Sequence, residues 1–395
     1  MTVRRIRFAA LILSILMVPA LSAGCWDNNE IDQLFIVTGI ALDTVPDDTE
    51  QVNITMQVSS IKQEGSSSSS GRQGSGQNSV LLLHAVNRTI LGGLAQINQN
   101  SSHRLLLSHN QIRLYSVDVA QQGIIERMDV LLRDQDARLE VPLAVVDGRA
   151  EDMLTVEMPS DPTSGIFLGD MFQDLAHTSV KYRVRLIDFV SKLLEETTSP
   201  VLPLLKLVSV EDKQEIKMTG MAVFKGDKMV GRLSNEEALG YIWSLGDVKK
   251  NDFQVNEGTN AALLHITQLD SRREVILRQD GVVQVTLYVE AVLAVSELYG
   301  FSKFKPRELM PHLVDLAQKE IENKIINSFA AARKLNADIF GFGTSVYKKY
   351  PKEWKDIKGN WDALFSGIDL RVEAKVQLPG TGQIIQSLEM ERSEP

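Results

Sequence analysis

Cys25 is the only cysteine among 395 residues, so no internal disulfide can brace this chain. Its fold must be held by buried apolar surface. The position of that cysteine is as informative as its solitude. Arg4, Arg5 and Arg7 form a basic start, Phe8 to Ala20 an apolar stretch interrupted by Pro19, and Leu21-Ser22-Ala23-Gly24 a small-residue approach to Cys25. The apolar stretch is shorter than the roughly 20 residues a bilayer span needs, and the layout is that of a cleaved secretory leader over residues 1–24. A lone thiol behind such a leader is explained if the sulfur carries lipid. Small residues then let the peptide lie extended in a lipoprotein signal peptidase, which leaves Cys25 as the acylated first residue. Each buried methylene adds about 0.8 kcal/mol, and two acyl chains suffice for stable anchoring. Leu21 stands one place further from the cysteine than a lipobox usually has it. Ser22 and Gly24 also suit an ordinary signal peptidase, which would free the chain with a bare thiol, and an uncleaved anchor is the third reading.

The length exceeds what one core organises, so more than one domain is expected. The net charge is −9, and the leader's three arginines make the remainder more acidic still. That balance disfavours nucleic acid as a partner. It also predicts no polybasic help against anionic lipid, leaving acyl chains as the membrane attachment.

Along the chain, Ile31 to Leu42 is an apolar run that reads as a buried strand, and Val52 to Val58 alternates strictly as a second. Lys62 to Ser79 is Gly/Ser-rich low complexity, read as a flexible loop. Helical spacing appears over His84 to Gln99 and over Ala120 to Leu132, with strands at Gln111 to Val117 and Leu139 to Val146. A short helix is expected from Ala150 and a closing helix over Val184 to Glu196. Alternating strands and helices point to an N-terminal α/β layered domain over residues 25–205. Pro200 and Pro203 suggest an interdomain connection. A β-hairpin about Lys225-Gly226-Asp227, with a helix capped by Ser234, forms a middle module over 206–255. Residues 256–395 read as an α+β domain: strands over Ala261 to Leu269, Arg273 to Leu277 and Val282 to Val295, one long amphipathic helix over Arg307 to Leu335, and a last strand over Asp369 to Leu378. The fold class is thus mixed α/β and α+β, multidomain.

Residues of catalytic type are present, but their patterns are weak. His84, His103, His109, His177, His265 and His312 show no zinc-ligand spacing, and no Gly-x-Ser-x-Gly elbow occurs. Asp134 and Asp136 resemble a carboxylate pair but follow a helix end, where solvated acids are common. Gly341-Phe342-Gly343 starts a dinucleotide motif and then has Val346 at the third place, so it reads as a tight turn. Trp354, Trp361 and Phe365 read as an aromatic cluster over the last sheet, with ligand stacking as the alternative. No catalytic, cofactor or metal residues are assigned, which leaves an anchored surface protein. An interdomain cleft holding a small solute is the main alternative, and an envelope hydrolase a weaker one.

Three blocks carry a resemblance. Gly24-Cys25-Trp26-Asp27 with Glu30-Ile31 and Val37 to Asp43 opens it; Thr219 to Gly231 with Leu233-Ser234 follows; Asp338 to Gly343, Tyr350 to Trp354 and Trp361 close it. Together they resemble the Ger(x)C family, the C-subunit lipoproteins of bacterial spore nutrient germinant receptors. The resemblance implies a mixed α/β multidomain fold and lipid attachment at Cys25 on the outer face of the spore inner membrane. It further implies membrane-embedded partner subunits and a non-catalytic role in triggering germination by nutrients.

Overall fold

A computed structural model describes residues 34–59, 80–101, 103–133, 138–158, 161, 163–178, 183–211, 213–246, 248 and 250–379. Cys25, the Gly/Ser stretch before residue 80, Asp134 and Asp136 fall outside the described residues.

The first half is built on β1 (Leu34–Val45), β2 (Asp48–Ser59), β3 (Val80–Asn87), β4 (Arg104–Leu106), β5 (Ile112–Ser116) and β6 (Leu143–Val146). To these β7 (Val201–Val210), β8 (Lys213–Lys225) and β9 (Lys228–Ser234) are added. They form one sheet in the order β3-β2-β1-β5-β6-β7-β8-β9, with β4 paired to the start of β1. Its centre, β1-β5-β6-β7, is parallel, and the flanks are antiparallel. A parallel centre must be covered on both faces, which is why β1 and β6 read as continuous apolar runs instead of alternating. One face packs on α1 (Ile90–Asn100), α2 (Val117–Gln122), α3 (Ile125–Arg133) and, later in the chain, α6 (Leu186–Leu193) through Ile97, Val119, Met128 and Phe189. The other packs on α4 (Asp152–Thr155) and α5 (Ser164–Thr178) through Met153, Leu154, Leu168 and Phe172.

Several local expectations are corrected. The helix expected from His84 begins at Ile90 with Thr89 as N-cap, and residues 80–87 are strand β3, with His84 opposite Thr55. Val86 and Ile90 are four apart and mimic a helical face, while the strand partner that decides the matter is remote in sequence. The helix expected over Ala120 to Leu132 is broken at Gly123, whose φ of +121° ends α2 and lets the Ile124 amide donate to the Asp227 carbonyl at 3.1 Å. Pro203 lies inside β7 instead of in a connection. The β6 partners on β7 are Leu204 and Leu205, so a missing N–H at 203 interrupts no pairing on that side. Helix α5 gave no recognised periodic signal.

In the second half, α7 (Asn235–Leu245) follows β9, and β10 (Asn251–Glu257), β11 (Asn260–Leu277), β12 (Val283–Tyr299) and β13 (Asp369–Gln377) make a sheet in that order. The two strands expected over 261–277 are the single strand β11. Helix α8 (Pro306–Lys334) lays Leu309, Leu313, Ala317, Ile321, Ile325 and Phe329 against this sheet, a four-residue spacing that keeps one stripe buried over about six turns. Small helices α9 (Phe342–Lys349), α10 (Trp354–Ile357) and α11 (Trp361–Ser366) then return the chain to β13, which runs parallel to β12. The hairpin expected in 206–255 forms, but its strands extend the first sheet while α7 packs on α8, so this stretch serves both halves. Ser234 and Glu237 make a reciprocal capping box at the start of α7.

Candidate functional site at the junction of the two sheets

The two halves meet at the loop that enters β7. Its Ser199 amide donates to the Asp338 carbonyl at 2.9 Å, and Thr198 Oγ1 lies 3.2 Å from Thr344 Oγ1. Thr344 also donates to Glu195 at 3.0 Å. Glu196 accepts from Trp354 Nε1 at 3.2 Å and pairs with Lys358 at 2.9 Å, and those two partners hold its carboxyl below the usual range. Lys225, at the end of β8, pairs with Asp362 at 2.6 Å and donates to the Asn336 carbonyl at 3.2 Å.

Asp338 is the hub. It is 3% exposed, and its carboxylate accepts from the Phe342 amide at 3.0 Å, the Gly343 amide at 2.8 Å and Trp361 Nε1 at 3.2 Å. Burial pushes its pKa up to about 6, against the lowering effect of those donors. The geometry depends on the two glycines beside it. Gly341 has φ +68°, which a side chain resists, and a Cβ on Gly343 would run into Thr197 and Trp361. The Gly341-Phe342-Gly343 turn thus turns its amides onto a carboxylate. Trp354 and Trp361 are buried with ring centroids 5.4 Å apart, and Phe365 packs edge-on to Phe329. This cluster closes the joint as well as the last sheet.

A cavity of about 280 Å³ remains there, lined by Thr198, Lys225, Asp338, Lys358 and Trp361 among others. Its lysines are satisfied by the acids around it, which suits a joint more than a reaction centre. A wider crevice of about 640 Å³ lies where β1, β5 and β6 end. Parallel sheets place ligands at such strand ends. Asp43 there accepts from the amides of Ala150 and Glu151 at 2.7 and 2.9 Å, and burial raises its pKa. Asp147 pairs with Lys206 and Arg232.

The structure scatters the histidines whose side chains are described. His84 contacts Thr55, His103 stacks on Phe35, His265 pairs with Asp252 and His312 with Glu257. Among the described residues no group of three or more His, Cys, Asp or Glu is placed to hold a metal. Sequence reasoning singled out Gly341, Trp354 and Trp361 but missed Glu195, Glu196, Thr198 and the hub role of Asp338. The acids and threonines of the entry loop follow no periodicity. Their function is visible only once α9 is laid over them.

The arrangement is a three-layer α/β sheet joined, through the β7 entry loop and Lys225, to an α+β sheet with a long helix. The family model described as "Spore germination protein N-terminal domain" matches residues 27–207, and "Spore germination B3/ GerAC like, C-terminal" matches residues 219–382. The chain is similar to Spore germination protein KC of Bacillus subtilis (strain 168), at 23% identity over 96% of this chain and 97% of that protein. It is also similar to Spore germination protein A3 of the same organism, at 25% identity over 94% and 98%. The crystal structure of the GerBC protein matches with a TM-score of 0.54 at 17% identity, covering 87% of this chain and 97% of that one. The chain belongs to the Ger(x)C family, the C-subunit family of spore germination receptors.

Proposed function

We propose that this chain is a non-catalytic lipoprotein subunit of a spore nutrient germinant receptor. It is attached through acylated Cys25 to the outer face of the spore inner membrane, and it acts with membrane-embedded partner subunits to trigger germination. The observation that carries this reading is the match of both germination family models, in order, over residues 27–207 and 219–382. The junction supports it, because its charged groups are spent on one another and fix two sheets into one scaffold. Among the described residues no helix is long and apolar enough to cross a membrane. Attachment in this reading comes from the lipid on Cys25.

Affinity purification of the tagged chain from spore membranes tests the reading. Membrane-embedded receptor subunits are expected in the eluate, and deletion of those subunits is expected to abolish the chain's effect on germination. If the chain elutes alone and retains an amino acid or sugar, it is a solute-binding lipoprotein instead. Turnover lost on mutation of a single carboxylate or histidine would make it an enzyme.

A further inference from the structure

Strands β1, β5, β6 and β7 are parallel, so all four begin at the same end of the first sheet. β3 also starts there, because it is antiparallel to β2, which is antiparallel to β1. This end carries several exposed apolar side chains. Val80 and Leu81 are exposed at the start of β3, Leu139 is exposed just before β6, Ile187 is exposed on α6 and Leu194 just after it. Leu194, beside the entry loop of β7, is 79% exposed, the highest value among the exposed large hydrophobic residues.

Basic charge collects at the same end. The α9–α10 segment is held onto the β7 entry loop by the Thr198–Thr344, Trp354–Glu196 and Lys358–Glu196 contacts. It carries Lys348, Lys349, Lys352, Lys355 and Lys358 against Glu353 and Asp356, in a chain whose net charge is −9. Lys358 is paired and Lys349 donates to the Val275 carbonyl, whereas Lys348, Lys352 and Lys355 are exposed and have no acidic partner among the described residues. Tyr347, 52% exposed, stands next to them. Exposed aliphatic groups, a tyrosine and unpaired lysines are the composition that sits at a bilayer interface.

We propose that this end of the first sheet seats on an anionic bilayer surface, with its apolar side chains at the headgroup boundary and Lys348, Lys352 and Lys355 against lipid phosphates. The inference rests on the lipid attachment proposed for Cys25, and the placement of β1 agrees with it. The chain enters β1 at Leu34, nine residues after Cys25, and nine residues span at most about 30 Å. β7 lies three strands from β1, about 15 Å across the sheet. A lipid on Cys25 therefore leaves both the aliphatic rim and the lysines within reach of the same bilayer. Lipid would thus do more than tether the protein: it would fix which face points to the membrane and which is presented outward.

The full-length lipidated chain can be reconstituted on phosphatidylcholine vesicles with or without phosphatidylglycerol, and its lysines probed by amine acetylation. Lys348, Lys352 and Lys355 are expected to be protected on the anionic vesicles only. Lys213, at the opposite end of β8 and about 40 Å away, is expected to label equally on both. Lys348→Glu, Lys352→Glu and Lys355→Glu together should remove the protection, with the docking equilibrium constant falling at least about fivefold per lysine, while flotation by the lipid persists. Equal labelling on both vesicle types would overturn the proposal, as would protection that appears only when partner subunits are added, which would make the patch a protein interface. Failure of the lipid attachment reads out separately, as loss of flotation on neutral vesicles.

Discussion

The indole of Trp361 donates its Nε1 hydrogen to Oδ2 of Asp338 at 3.2 Å, joining two residues 23 positions apart inside the junction of the two sheets. The same carboxylate holds the amides that open α9, so one side chain sets the path of the chain from α8 to the aromatic cluster. The Asp338 main-chain carbonyl accepts from Ser199 of the first half, so loss of the side chain that fixes this turn should be felt in both halves. Asp338→Ala is expected to cost about 2–4 kcal/mol, because three buried donors lose their acceptor. Asp338→Asn keeps one acceptor oxygen and should cost less. Urea denaturation of the three proteins checks the order.

The pH dependence of stability follows from the same group. Its pKa is about 6 in the folded protein against an ordinary aspartate value of 3.8. Near pH 7 it is ionised in both states, and the fold is about 3 kcal/mol less stable than with this carboxyl protonated in both. As pH falls through 6 the folded state takes up the proton first, so this contribution to stability grows down to about pH 4 and is lost again as pH rises. Titration of the urea midpoint between pH 7 and pH 4.5 should show that component in the wild type and a flatter profile in Asp338→Asn. An unchanged profile would mean that another group governs it.

Gly240 lies within α7, where Gly→Ala ordinarily stabilises an exposed helix by about 0.5–1 kcal/mol. Here the sign should reverse. A Cβ at this position would run into the Lys324 carbonyl of α8, so the helices must separate. Gly240→Ala is expected to lower stability by about 1–3 kcal/mol, and a raised melting temperature would show that the two helices have room to part.

Gln57 lies on β2, buried against the start of α5. Its amide donates to the Leu154 carbonyl at 2.7 Å and to Ser164 Oγ at 2.8 Å, and its oxygen accepts from Thr38 Oγ1 at 3.1 Å and the Gly165 amide at 2.8 Å. Gln57→Leu fits the volume but strands those partners, at a cost of about 2–4 kcal/mol. Hydrogen exchange should report the loss first at the Gly165 amide.

Cys25→Ala is expected to release the chain from the membrane fraction or leave it as a slower-migrating precursor, because acyl chains supply nearly all its membrane affinity. Fractionation and gel mobility check both. Normal mobility together with full membrane retention in a strain lacking the partner subunits would contradict attachment through Cys25.

What the sequence settled by itself was set by local chemistry. The apolar run into Leu42, the stripe of α8, the Ser234 cap and the Gly226 turn are each written in a few neighbouring residues, and each formed where the pattern placed it. The alternation of strands and helices was enough to give the fold class. Tertiary structure decided what depends on partners distant in the chain. Strand pairing put residues 84–87 in a strand although they open the stretch read as helical, and Asp227 found the break at Gly123 across 104 positions. Likewise, Asp338 opens one of the blocks that carry the family resemblance, but its role as the hub comes from desolvation and from donors that only the folded chain brings to it. Burial and long-range hydrogen bonds are properties of the packed state, so no window of neighbouring residues can display them.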